Sequence, residues 1–121
     1  MPKVIHFEIP AVKAERAVKF YESAFGWKFD KYGQMDYYLA TAGDDKEPGI
    51  NGAITIRGAP TTATTNTIGV ASFEDAVKNI VAAGGEVLMP KTAVPGVGYM
   101  AYCKDTEGNV FGIMQSDPNA K

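Results

Sequence analysis

From Val4 to Pro10 the chain reads VIHFEIP, an alternation that predicts a strand with Ile5, Phe7 and Ile9 on one face and His6 and Glu8 on the other. After Pro10 the period lengthens. Ala17, Phe20, Tyr21 and Ala24 recur at helical spacing, with Glu15, Lys19, Glu22 and Ser23 on the opposite side. This predicts an amphipathic helix ending at Gly26, where a glycine supplies the left-handed residue that helix ends favour. The segments WKFDKY, MDYYLAT and GINGAITI follow as second, third and fourth strands, separated by turns at Gly33 and in AGDDKEPG. RGAPTTATTN is polar and lacks any hydrophobic period, which marks a surface connection near mid-chain.

The pattern then restarts. TIGVAS reads as a strand, and Ser72 with Asp75 forms an N-cap of the Ser-x-x-acid kind ahead of Ala76, Val77, Ile80 and Val81. Sliding the chain by 59 positions sets Ala17, Val18, Lys19, Ala24 and Gly26 on Ala76, Val77, Lys78, Ala83 and Gly85. GEVLMPK, GYMAYCKD and VFGIMQS complete the second half as strands, with DTEGN as a turn. Each half therefore runs strand, helix, strand, strand, strand.

Composition narrows the function classes. A chain of 121 residues suits one domain with a real core. A net charge of -2 and no basic stripe argue against a nucleic-acid partner. The absence of a long apolar run or a charged leader argues for no membrane association and for a cytoplasmic location. The lone Cys103, among aromatic and apolar neighbours, reads as a packed thiol. His6, the only histidine, is the best candidate for chemistry, with Glu8 two residues on and its Cα about 6.7 Å away along a strand.

The paired order, FYESAFGW at the end of the first helix and KDTEGNVFGIMQ near the C-terminus resemble the vicinal oxygen chelate superfamily, which includes glyoxalase I, extradiol dioxygenases and bleomycin-resistance proteins. The resemblance runs from VIHFEIP to Gln115. It implies an α+β fold, two βαβββ modules (about 3–56 and 67–115) forming a curled mixed-sheet cup with helices packed outside, and a homodimer. Metal-dependent members of this family take one ligand from the first and one from the last strand of each module. On this chain those positions align with His6, Gly52, Thr67 and Gly112. Glycine has no ligand atom and threonine is a poor ligand for zinc or iron, so no metal and no other cofactor is expected.

Two glycines at related positions suggest either a cup floor opened for an organic ligand, or sheet curvature or close strand packing. The expected ligand-binding set is His6, Glu8, Tyr38, Gly52, Thr67, Tyr99, Gly112 and Met114, with His6 and Glu8 as the catalytic candidates. GDDKE at 43–47 lacks the alternating donors of a calcium loop, and PGVGY at 95–99 reads as a flexible loop at the cup mouth. The resemblance and the residues together imply a cup that binds a small organic molecule without a catalytic metal. A divergent lyase, isomerase or dioxygenase using His6 and Glu8, or a subunit with a vestigial cup, remains open.

Overall fold

The computed structural model describes residues 1–121, which divide into two compact units, Ile5–Thr65 and Met1–Val4 with Asn66–Lys121. The first half folds as β1 (Lys3–Ala11), α1 (Ala14–Phe25), β2 (Lys28–Lys31), β3 (Tyr37–Thr41) and β4 (Gly52–Ile56). β4 pairs parallel with β1, placing Phe7 opposite Gly52 and Ala11 opposite Ile56. β3 runs antiparallel to both β4 and β2. Parallel neighbours need a long crossover, and α1 with the β2–β3 hairpin supplies it.

The α1 stripe that packs on this sheet is Ala14, Ala17, Val18 and Tyr21, against Ile9, Ala11, Phe29, Tyr38 and Ile54. Phe20 and Ala24 were expected on that stripe and are instead exposed, Phe20 at 58 %. At 3.6 residues per turn, Phe20 lies about 100° round the helix from Tyr21, at the solvent edge of a stripe centred on Ala14 and Val18. Tyr21 stacks on Trp27 at 4.9 Å between ring centroids, and Trp27 in turn contacts Phe7 at 5.7 Å. Gly26 ends the helix as expected, at φ 73 with its N–H donating to the Glu22 carbonyl at 2.9 Å.

The second half repeats the topology as β5 (Thr65–Gly69), α2 (Phe73–Ala82), β6 (Glu86–Val87), β7 (Thr92–Val94), β8 (Gly98–Lys104) and β9 (Val110–Ser116). β9 pairs parallel with β5 and antiparallel with β8, which also carries β6 and β7. The order β6-β8-β9-β5 thus repeats β2-β3-β4-β1, and each half is built on a βαβββ module of an α+β fold, to which the second half adds the short, unexpected strand β7 on β8. Its core is Val70, Phe73, Ala101, Cys103 and Ile113, with Ala76, Val77 and Ile80 of α2 packed on it. Ser72 caps α2 as expected, its Oγ accepting from the Asp75 N–H at 3.2 Å, and Gln115 Oε1 accepts from the Phe73 N–H at 2.7 Å.

Two local expectations change. The strand read across GEVLMPK is cut to Glu86–Val87, because Pro90 has no N–H to continue a ladder. PGVGY is a tight hairpin between β7 and β8, closed by the Val97 N–H to the Val94 carbonyl at 2.9 Å and tied to the C-terminus by the Gly96 N–H to the Ala120 carbonyl at 3.0 Å. The DTEGN turn is held by Asp105, whose carboxylate accepts from the N–H groups of Glu107 and Asn109 and from Asn109 Nδ2 at 2.8, 2.9 and 3.1 Å. Those backbone donors hold its pKa below the ordinary carboxylate value. No helix is long and apolar enough to cross a membrane.

Candidate functional site

β1 alternates as its sequence dictates. Phe7 and Ile9 turn toward α1, where Phe7 meets Trp27 and Ile9 joins the helix-side core. His6 and Glu8 therefore occupy the opposite face, and Glu8 is buried at 5 % exposure. The β3–β4 register sets Tyr37 opposite Thr55, Tyr38 opposite Ile54 and Leu39 opposite Ala53. Glu8 is the β1 partner of Ala53, so Tyr37, Ala53 and Glu8 share a face while Tyr38 and Ile54 share the other. Ala53 is small, and the Tyr37 phenol crosses the strand between β3 and β1 to reach both polar residues of β1.

The result is a three-residue hydrogen-bonded relay. Tyr37 O–H donates to Glu8 Oε2 at 2.6 Å, and His6 Nε2 lies 2.9 Å from the same phenol oxygen. The phenol has one proton and gives it to Glu8, so it must accept from His6. Neutral His6 is thereby fixed as the Nε2–H tautomer, leaving the Nδ1 lone pair without a protein partner. Burial lowers the His6 pKa from its ordinary 6.5, outweighing the Glu8 carboxylate, which pulls it upward. At neutral pH the imidazole is uncharged and Nδ1 can take a proton. A proton arriving there is stabilised by Glu8, through a phenol that keeps the two side chains in line.

The remaining expected site residues separate by face. Tyr38 packs in the α1-side core with Lys31 Nζ 5.9 Å from its ring centroid, so it belongs to the helix side and Tyr37 takes the place expected of it. Gly52 is also on the α1 side, because its β1 partner is Phe7, and a Cβ there would run into the Phe7 ring. In the second module Thr67 and Gly112 are register partners facing away from α2, and Met114 follows on the same face opposite Gly69. A Cβ on Gly112 would lie 3.0 Å from Thr67 Oγ1. Each glycine thus receives a side chain from its partner strand, the close-packing alternative, and Gly52 does not open a floor beside His6. Tyr99 lies on the α2 side in the core with Lys91 Nζ 4.5 Å above its ring, because it alternates with Met100 and Tyr102 on β8.

Tyr37 is the residue that sequence reasoning missed. Two adjacent tyrosines in a short strand must face opposite ways, but only the β3–β4 register tells which of them meets His6.

The family's metal does not fit these residues. His6 is adjoined by Glu8 and a phenol, the other aligned positions carry Gly52, Thr67 and Gly112, and no three His, Cys, Asp or Glu side chains group closely enough to hold a metal ion.

A family model described as Glyoxalase/Bleomycin resistance protein/Dioxygenase superfamily matches residues 3–113. A glyoxylase-like domain-containing protein of Didymella fabae is 30 % identical over 112 residues, covering 88 % of each chain. Among solved structures, a glyoxalase/bleomycin resistance protein/dioxygenase superfamily member from Vibrio splendidus is 10 % identical at a TM-score of 0.66, covering 97 % of this chain and 100 % of its own. Methylmalonyl-CoA epimerase from Mycobacterium tuberculosis is 11 % identical at a TM-score of 0.68, covering 95 % and 88 %. Such low identities carry the fold, whereas the family model spans nearly the whole chain. The chain belongs to the glyoxalase/bleomycin resistance protein/dioxygenase superfamily.

Proposed function

We propose that this protein binds a small organic molecule on the face bearing His6, Tyr37 and Glu8 and moves a proton on it, with no metal held by its own side chains. The observation that carries this reading is the relay itself. A buried carboxylate, a bridging phenol and a neutral imidazole with one unpartnered nitrogen form a base with a built-in counter-charge. His6 Nδ1 would accept a proton from carbon next to a carbonyl, where the acidity is high enough for an imidazole base. The imidazolium would then return that proton to the same or a neighbouring atom. No electrons leave the pair, so the net outcome is epimerisation, isomerisation or exchange. His6 is the catalytic residue, and Tyr37 and Glu8 position it and balance its charge. An epimerase of the same fold supports the reaction class.

The test is solvent deuterium incorporation, read by proton NMR, in a panel of small 2-oxo acids, hemithioacetals and acyl thioesters. Exchange should occur with at least one class, survive dialysis against a chelator and fall by about 100-fold or more in His6→Ala, the usual scale for loss of a general base. Binding without exchange would remove the catalytic part and leave a binding protein. Exchange that needs an added divalent metal would overturn the proposed chemistry.

A further inference from the structure

A groove lies on the other side of the first module from the relay. It has a volume of about 520 Å³ and runs along the start of α1, and Tyr38, Ile56 and Val12 are among the residues that line it. Lys13, Arg16 and Lys19 line it as well. None of the three has a carboxylate within salt-bridge distance; the chain's one ion pair joins Lys91 and Glu74. Lys31 also reaches this region, its Nζ 5.9 Å from the Tyr38 ring centroid. Two carboxylates, Glu15 and Asp36, line the groove as well, so the wall keeps a net positive charge of one, from three cations less two anions. In a chain of net charge -2 such a surface is against the trend. Its apolar part is likewise unspent: Ile56 is 42 % and Val12 69 % exposed.

The volume falls in the range of small-molecule sites, and the lining combines a ring, two aliphatic side chains and unpaired cations. We infer that this groove binds a small anion with an apolar body, of the aryl carboxylate or aryl phosphate class. The ring or acyl part lies on Tyr38 and Ile56, and the anionic end faces Lys13, Arg16 and Lys19. The relay is on the opposite face of the same sheet, since Tyr37 and Tyr38 are consecutive and point opposite ways, so this site is distinct from the proton-transfer site.

The probes are benzoate, phenyl phosphate and neutral benzyl alcohol, titrated into the full chain and followed by methyl and amide NMR. Benzoate or phenyl phosphate should shift the Ile56, Val12 and Tyr38 signals saturably, and benzyl alcohol should bind about ten-fold more weakly or not at all. The stronger anion identifies which headgroup is preferred. Replacing all three cations (Lys13→Gln, Arg16→Gln and Lys19→Gln) should weaken anion binding by about ten-fold, since exposed ion pairs are individually weak and three act together. These side chains are exposed and lie outside the core, so the melting temperature should be kept. The single reversal Arg16→Glu provides an independent check and should also weaken the anions selectively. Raising the salt to several times physiological should reduce anion binding and spare benzyl alcohol. No saturable shifts at Ile56 and Tyr38, equal binding of the neutral probe, or anion binding unchanged in both variants would overturn the assignment.

Discussion

Replacing Tyr37 with Phe removes one oxygen and with it both contacts of the relay. The bond to Glu8 is to a carboxylate, a class worth about 1.5–3 kcal/mol, and the bond from His6 belongs to the class worth about 0.5–1.5 kcal/mol. Glu8 is 5 % exposed, so water cannot simply replace the lost donor. Because one atom serves both partners, the losses overlap, and a net destabilisation of about 2 kcal/mol is expected. For a chain of this length that is a fall in melting temperature of roughly 6–10 °C. Urea denaturation of wild type and Tyr37→Phe measures the difference, and the m-value should stay constant if the denatured state is unchanged. The same variant should release His6 from a single tautomer, which long-range proton–nitrogen correlation spectra detect. A loss under about 0.5 kcal/mol with the His6 tautomer unaltered would show that the phenol does not bridge the two side chains.

Three further outcomes follow from the same geometry. Glu8→Gln deletes the only charge that raises the His6 pKa while burial remains, so the titration midpoint should fall below that of wild type in an NMR titration; an unchanged midpoint would remove Glu8 as the counter-charge. Gly52→Ala should cost about 1–3 kcal/mol, because a methyl group there meets the Phe7 ring. Gly112→Ala, where a methyl group meets the Thr67 side chain with its hydroxyl nearest at 3.0 Å, should cost less, and the reverse ranking by thermal melts would contradict the assigned faces. His6 has a folded pKa below its unfolded value, so between the two the unfolded chain binds the extra proton. Its contribution to stability should be fully present above about pH 6.5 and lost as pH falls from there through the folded pKa, and this pH dependence should be missing in His6→Asn.

The chain's periodicity carries most of its architecture. The strand of Val4–Pro10, the helix stop at Gly26 and the Ser72 cap all stand where local rules put them, because each depends on residues within one turn or one pleat. The halves could be matched for the same reason, since α1 and α2 end in related patterns. What depends on register was not legible. Tyr37 and Tyr38 are equivalent in composition, yet one residue of slip in β3 exchanges a relay phenol for a core ring. Tyr99 and Tyr102 pose the same choice on β8, which puts Tyr99 against α2. Gly52 and Gly112 looked equivalent by an offset of 60, but Gly52 pairs with Phe7 and Gly112 with Thr67, so they face different ways relative to their helices. The acidic turn within KDTEGNVFGIMQ, one of the stretches that carry the family resemblance, is explained by Asp105 capping its own backbone, a structural role.

The proposed proton transfer rests on His6 being a neutral base aimed by Tyr37 and charge-balanced by Glu8. The chain has a single histidine, so its ring nitrogens can be observed without assignment ambiguity. A pH titration of uniformly nitrogen-labelled protein should show the Nε2–H tautomer at neutral pH, an unprotonated Nδ1 and a midpoint below 6.5. An Nδ1–H tautomer, or a midpoint above 6.5, would rule out this arrangement of the three side chains.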